Sequence, residues 1–184
     1  MRIMETSGEV YVADEDVVRV SSAEVEFLKG KLAATARGRI RLCAHRESGD
    51  RLHEMVIVLS RETYIRPHQH SDKSESFHVI EGVADVVVFD DEGGVTDIIP
   101  LGDYRSGRPF YYRLSAPRFH TVLIHSDTLV IHETTNGPFR KGDSVLAPWA
   151  PDERDGAAGR RFLARVTEAC RAFARRTATR APLT

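Results

Sequence analysis

Residues 39–139 are written almost entirely in short β-rich runs, and this constrains the fold more than any other feature of the chain. The runs cover 39–43, 55–59, 62–66, 77–80, 84–89, 95–101, 110–114, 121–125 and 128–134. Turn signals separate them: Ser48-Gly49-Asp50, Asp91-Glu92-Gly93-Gly94, Gly102, Gly107 and Asn136-Gly137-Pro138. About nine short strands with no helix between them predict an antiparallel sandwich or small barrel. Met55-Val56-Ile57-Val58-Leu59 is apolar at every position, so both its faces need cover, from a helix or from another subunit.

The flanks read differently. Residues 9–20 predict short strands or an extended arm, and Ser21 with Glu24 has the spacing of a capping box that starts a helix. Val25, Leu28 and Leu32 give that helix an apolar stripe, and Gly38 suits its exit. After a proline-bearing loop, 157–176 predict a second helix with Phe162, Val166, Ala169 and Phe173 on one face, packed on its own domain. The expected division is an N-terminal arm and helix over 1–38, a barrel over 39–139, and a C-terminal loop and helix over 140–184, all in one structural domain.

The net charge of −1 offers no electrostatic case for nucleic acid. Residues 151–184 hold eight arginines and four acids, so they carry +4 and the first 150 residues −5, but the helical pattern makes a solvated basic face the expectation. Cys43 and Cys170 are far apart and in no ligand-like spacing, which predicts buried free thiols. The first residues lack the apolar run of a signal peptide and no stretch reaches membrane length, so the expected location is the cytoplasm.

Chemistry concentrates in Arg66-Pro67-His68-Gln69-His70 with Lys73, Glu75 and Gly82. If the run is extended, His68 and His70 share one face, and Glu75 can return to it after a turn. These are three metal-ligand side chains in eight residues. The same parity puts Tyr64 and Arg66 on that face, and Pro67 places the strand at an edge or at a bend. A face so polar looks either to solvent or into a barrel, where a metal accounts for the histidines.

His68-Gln69-His70, four residues, Glu75, six residues and Gly82 resemble the first motif of the cupins. In the second cupin motif one more histidine follows a proline- and glycine-containing turn; the matching segment is Ser115-Ala116-Pro117-Arg118-Phe119-His120, so the resemblance implies His120 as the fourth ligand. Three positions depart from the pattern: Glu62 and Pro117 stand where glycines are usual, and Ile124 where an asparagine is common, none of them at a ligand. Further likeness is to the WbuC-type cupin-fold metalloproteins, over roughly 20–152. It is carried by Tyr64 to His70, Lys73, Glu75, Phe77, Phe89-Asp90-Asp91, Glu133, Gly137-Pro138-Phe139 and Ala147-Pro148-Trp149-Ala150-Pro151.

That resemblance implies an all-β core with flanking helices, folded as a double-stranded β-helix with the metal inside, and an association with surface-polysaccharide (O-antigen) biosynthesis. Three imidazoles and a carboxylate leave two positions of an octahedral ion open and suit one divalent Fe, Mn, Ni, Co or Zn. Tyr64, Arg66 and Lys73 are candidate substrate contacts for an anionic or sugar-derived small molecule, with Tyr64, Arg66 and Glu133 as candidate catalytic groups. The sequence equally suits an Arg66 that neutralises an internal acid and a Glu133 that is an exposed strand carboxylate, and Lys73 belongs more naturally on a solvated turn. Of the other histidines, His45 and His53 flank a polar loop, His78 and His125 have the wrong parity, and His132 is open. Trp149 is expected to seal a loop onto the barrel. The expected functions are a metal-dependent isomerase or epimerase acting on a sugar or nucleotide-sugar, an Fe(II)-dependent dioxygenase, or a non-catalytic metal-assisted sensor domain. No nucleic-acid or membrane partner is expected, and a homodimer is.

Overall fold

A computed structural model of the protein describes residues 1–140 and 142–178. In chain order its elements are β1 Ile3–Ser7, β2 Val10–Ala13, α1 Ser22–Leu32, β3 Arg39–Cys43, β4 Leu52–Ser60, β5 His68–His70, β6 Glu75–Glu81, β7 Val83–Phe89, β8 Val95–Gly102, β9 Tyr111–Leu114, β10 Phe119–Ile124, β11 Thr128–Asn136, β12 Ser144–Leu146 and α2 Gly156–Ala178. They form two sheets, in the orders β1-β2-β3-β4-β11-β6-β9 and β12-β5-β10-β7-β8. Apart from the parallel pair β2–β3, every pairing is antiparallel. From β4 to β11 the chain crosses between the sheets at every step except the β7–β8 hairpin, so that β4 lies beside β11 and β5 beside β10. This is the eight-strand order of a jelly roll, the cupin-type double-stranded β-helix. β1 to β3 extend one sheet and β12 extends the other.

Three apolar layers hold the fold. Met55, Ile57, Leu59, Phe77, Val79, Val86, Val122 and Ile131 fill the space between the sheets. The opposite face of β4, Val56 and Val58, packs against Val25, Leu28 and Leu32 of α1, so a helix of the same chain covers the all-apolar strand. The capping box starts α1: Ser21 Oγ accepts from the Ala23 N–H, and the Glu24 carboxylate accepts from the Ser21 N–H. The third layer lies outside the second sheet, where Val87, Phe89, Phe119 and Leu123 meet Phe162, Val166 and Cys170 of α2. Trp149 packs between Phe89, Phe119 and Phe162 and donates to the Asp91 carbonyl, closing the proline-bearing loop onto the barrel.

Three sequence expectations change in detail. Ala169 is exposed and Cys170 takes its place on the buried stripe of α2, because Gly159, Phe162, Val166 and Cys170 keep the 3.6-residue period. Gly38 lies beyond α1, which ends at Leu32, and its φ of +64° belongs to the turn into β3. No strand forms over 62–66: residues 61–67 are turn and irregular chain, and pairing begins only at His68.

Candidate metal centre

The register of the second sheet makes the first half of the site. His120 of β10 lies directly opposite His68 of β5, and alternation puts His70 on the same inner face. Glu75 opens β6 in the facing sheet, opposite Thr135 and Leu114, so the group bridges the two sheets at one end of the barrel. Gly82 ends β6 with φ +94°, where a Cβ would stand 2.5 Å from the Thr128 carbonyl oxygen; this bend turns the chain into β7.

One donor atom from each of His68, His70, Glu75 and His120 lies within 4.8 Å of all the others. Glu75 is 4% exposed and His120 1%. Glu75 Oε2 is 3.1 Å from His70 Nε2, and Oε1 is 3.2 Å from His120 Nε2. Donors about 2.0–2.2 Å from one ion at right angles are about 3 Å apart, so the spacing fits a shared metal. The tautomers fit as well. His68 Nδ1 donates to the Arg66 carbonyl at 3.0 Å and His120 Nδ1 to the Arg118 carbonyl at 2.9 Å. A carbonyl only accepts, so each proton sits on Nδ1 and leaves Nε2 free to ligate. Ser144 Oγ holds His70 Nδ1 at 3.1 Å.

Without an ion, these groups perturb one another. Burial drives the His68 imidazolium down to about 4, with the charge of His120 acting in the same direction. Burial opposes ionisation of Glu75, but hydrogen bonds from His120 and His70 outweigh it and hold the carboxyl well below its usual range. Burial likewise opposes the charge on His120, and the Glu75 hydrogen bond raises it instead. A cation is therefore already favoured beside Glu75.

The site opens into a cavity of about 810 Å³ whose walls include Arg39, Arg41, Cys43, His45, His53, Arg66, Lys73, Glu133 and Thr135. Glu133 lies on the inner face of β11, between Met55 of β4 and Phe77 of β6. Burial, and then the charge of Glu75, push its carboxyl up to about 8. Of the other sequence candidates, Arg66 lines the cavity, but its guanidinium donates to the Ala147 carbonyl at 2.7 Å and its N–H to Glu153 at 3.1 Å. Lys73 also lines it, paired with Asp143 at 2.8 Å and bonded to the Pro138 carbonyl at 3.0 Å, rather than solvated on a turn.

Tyr64 does not share the histidines' face. It lies outside the cavity lining, buried against Phe162, with its hydroxyl bonded to the Pro151 carbonyl at 2.9 Å. Strand alternation does not carry back to it, because 61–67 are irregular. His78 is exposed, and His125 pairs with Asp85 at 2.8 Å on the outside. His132, open on the sequence, lies 3.6 Å from Glu54.

Sequence reasoning passed over His45 and His53, which stack at 4.0 Å inside the cavity. β4 starts at Leu52, three residues before its apolar run, so His53 inherits the inward parity of Met55, Ile57 and Leu59. Arg39 and Arg41 follow the same rule on β3, opposite Leu59 and Ile57. Alternation was the available signal for all of them.

A profile for a domain of unknown function, DUF6016, matches residues 20–101, under half of the chain. No curated protein matches. Among solved structures, a Shewanella oneidensis protein from a structural-genomics programme is similar at 14% identity, over 70% of this chain and 85% of that one, with a TM-score of 0.52. Oxalate decarboxylase of Bacillus subtilis, a protein with Mn(II) centres, is similar at 16% identity with a TM-score of 0.42, over 53% of this chain and only 24% of the decarboxylase. The cupin domain of Cnp3 from Schizosaccharomyces pombe gives 9% identity, 53% and 64% coverage and a TM-score of 0.42. The likeness is one of fold: the chain is a cupin-type jelly roll that carries a three-histidine, one-glutamate group able to hold a metal ion.

Proposed function

We propose that the protein is a metalloenzyme acting on a small sugar or nucleotide-sugar, with a place in surface-polysaccharide biosynthesis. The observation that carries this reading is a complete donor group at one end of a cavity of about 810 Å³ whose wall also holds the carboxyl of Glu133. A closed structural site would have no such chamber beside it. A divalent Fe, Mn, Ni, Co or Zn held by His68, His70, Glu75 and His120 supplies Lewis acidity towards a carbonyl or hydroxyl, or an activated water.

The remaining chemistry belongs to the chain. Glu133, half-buried on the inner face of β11, is placed to accept a proton from a carbon or hydroxyl and return it elsewhere, as isomerisation or epimerisation requires. Arg66 and Lys73 hold the loops around the site: Arg66 through Ala147, and Lys73 through Pro138 and Asp143. Likeness to the WbuC-type proteins, carried by residues from Tyr64 to Pro151, supports the assignment to polysaccharide precursors.

The test is incubation of metal-reconstituted protein with sugar phosphates and nucleotide-sugars in heavy water. Mass spectrometry should show metal-dependent deuterium incorporation that disappears in Glu133→Gln. Oxygen uptake with the same compounds after anaerobic iron loading would move the assignment to a dioxygenase, which the same donor set suits. Saturable binding with neither exchange nor uptake would overturn enzymatic function in favour of a sensor domain.

A further inference from the structure

The cations on the cavity wall are not alike. Arg39 pairs with Glu153 at 2.9 Å, Arg46 with Asp16 at 2.8 Å, Lys73 with Asp143 at 2.8 Å and Arg154 with Asp152 at 2.8 Å. Arg66 donates twice to the Ala147 carbonyl. Arg41 is the exception: among the described residues its guanidinium meets no oxygen, and its one polar contact is the Met55 sulfur at 3.7 Å. It is nonetheless half-buried, on the inner face of β3 between Val10 and Ile57. Glu133 is near enough to feel its charge but makes no contact with it, whereas the chain has supplied a direct ion-pair partner for Arg39 two residues earlier; a half-buried guanidinium with no oxygen in contact is costly.

We propose that Arg41 is the anchor for the anionic end of the substrate, a phosphate or carboxylate whose other end reaches the metal group. Glu133 lies between them: β3, β4, β11 and β6 are neighbours in that order, with Arg41 on the first, Glu133 on the third and the ligand Glu75 on the last. Three strand spacings across the sheet and a four-residue register offset along it (Arg41 is level with Val79) put the two backbones roughly 19 Å apart, and side chains reaching inward from both ends shorten the gap towards the size of a sugar phosphate. A guanidinium fork presents parallel N–H donors to two oxygens of such an anion. With a dication bound, Glu75 is neutralised and Arg41 and Arg66 leave the chamber positive, which favours the same ligand class.

This assignment rests on the cavity being a substrate site, and its test is separable from the metal reading. Inorganic phosphate and malonate are titrated by calorimetry into metal-free protein at pH 8, alongside Arg41→Gln, Arg41→Lys and the surface control Arg61→Gln, with folding of each variant followed by circular dichroism. Wild type and Arg61→Gln should bind at least one anion saturably; Arg41→Gln should weaken it at least tenfold, and Arg41→Lys less. The stronger of phosphate and malonate identifies the terminal group. Equal affinity in wild type and Arg41→Gln, or no saturable binding of either anion by wild type, overturns the assignment. Protein that holds metal but no anion fails this inference alone; Arg41-dependent anion binding in protein that takes up no metal fails the metal reading alone.

Discussion

The two ends of the cavity are built on opposite principles. At the metal end the ligands are held by the protein's own hydrogen bonds: two backbone carbonyls and a serine hydroxyl hold the three Nδ1 atoms, and Glu75 is bound by two histidines. On the wall made by β3 and β4, His53 Nε2 and Arg39 Nε are buried without partners among the described residues, and Arg41 touches no oxygen there. A buried group that lacks a partner carries its desolvation cost uncompensated, by about 1–3 kcal/mol. One end is therefore organised by the protein's own hydrogen bonds, whereas the other offers polar groups to whatever occupies the cavity.

The largest test of that contrast is Glu75→Gln. It removes the charge that holds His120 and His70, so affinity for Mn(II) or Zn(II) in a chelator-competition titration should fall by more than about 100-fold, since losing even an outer partner costs about 10–100-fold. Unchanged affinity would place the metal elsewhere and erase the distinction between the ends. Phe162→Ala should act on neither end. It should cost about 3–5 kcal/mol in denaturant unfolding by emptying the layer under α2, while the folded variant keeps its metal stoichiometry.

Finer tests separate orientation from ligation. Ser144→Ala removes only the hydroxyl on His70 Nδ1 and should weaken metal binding by about 10-fold, a smaller loss than any ligand substitution. Glu133→Gln addresses the wall beyond the ligands. A carboxyl raised from 4.5 to about 8 holds its proton in the folded chain where the unfolded chain has lost it. Its contribution is full below pH 4.5 and is lost as the pH rises through about 8. The melting temperature of metal-free wild type should therefore fall across that window relative to Glu133→Gln, with a gap of at least about 2 °C at pH 8. Parallel profiles would mean that Glu133 is solvated.

The same contrast explains what the sequence could reveal. The ligands sit in a tight local spacing, His68, His70 and Glu75, with His120 behind a proline turn, and the structure gathers all four. The strand-rich middle and the capping box at Ser21 were legible for the same local reason. The opposite wall was not, because its members come from three strands with no shared motif, and each points inward only once a register is known. His53 needed the true start of β4, and Arg41 needed its pairing with Ile57. Tyr64 failed in the other direction: alternation was extended through 61–67, where no strand exists, and α2 claims the ring instead, with Gly159 so close that a Cβ would stand 2.6 Å from Tyr64 Cδ1.

The central claim is that His68, His70, Glu75 and His120 form one metal site. It is tested most directly by elemental analysis of wild type, His68→Ala and His120→Ala after identical reconstitution and desalting. The account predicts close to one divalent transition metal ion per wild-type chain and at least a tenfold lower content in each variant that remains folded. Equal metal content in all three proteins, whether high or negligible, would contradict it.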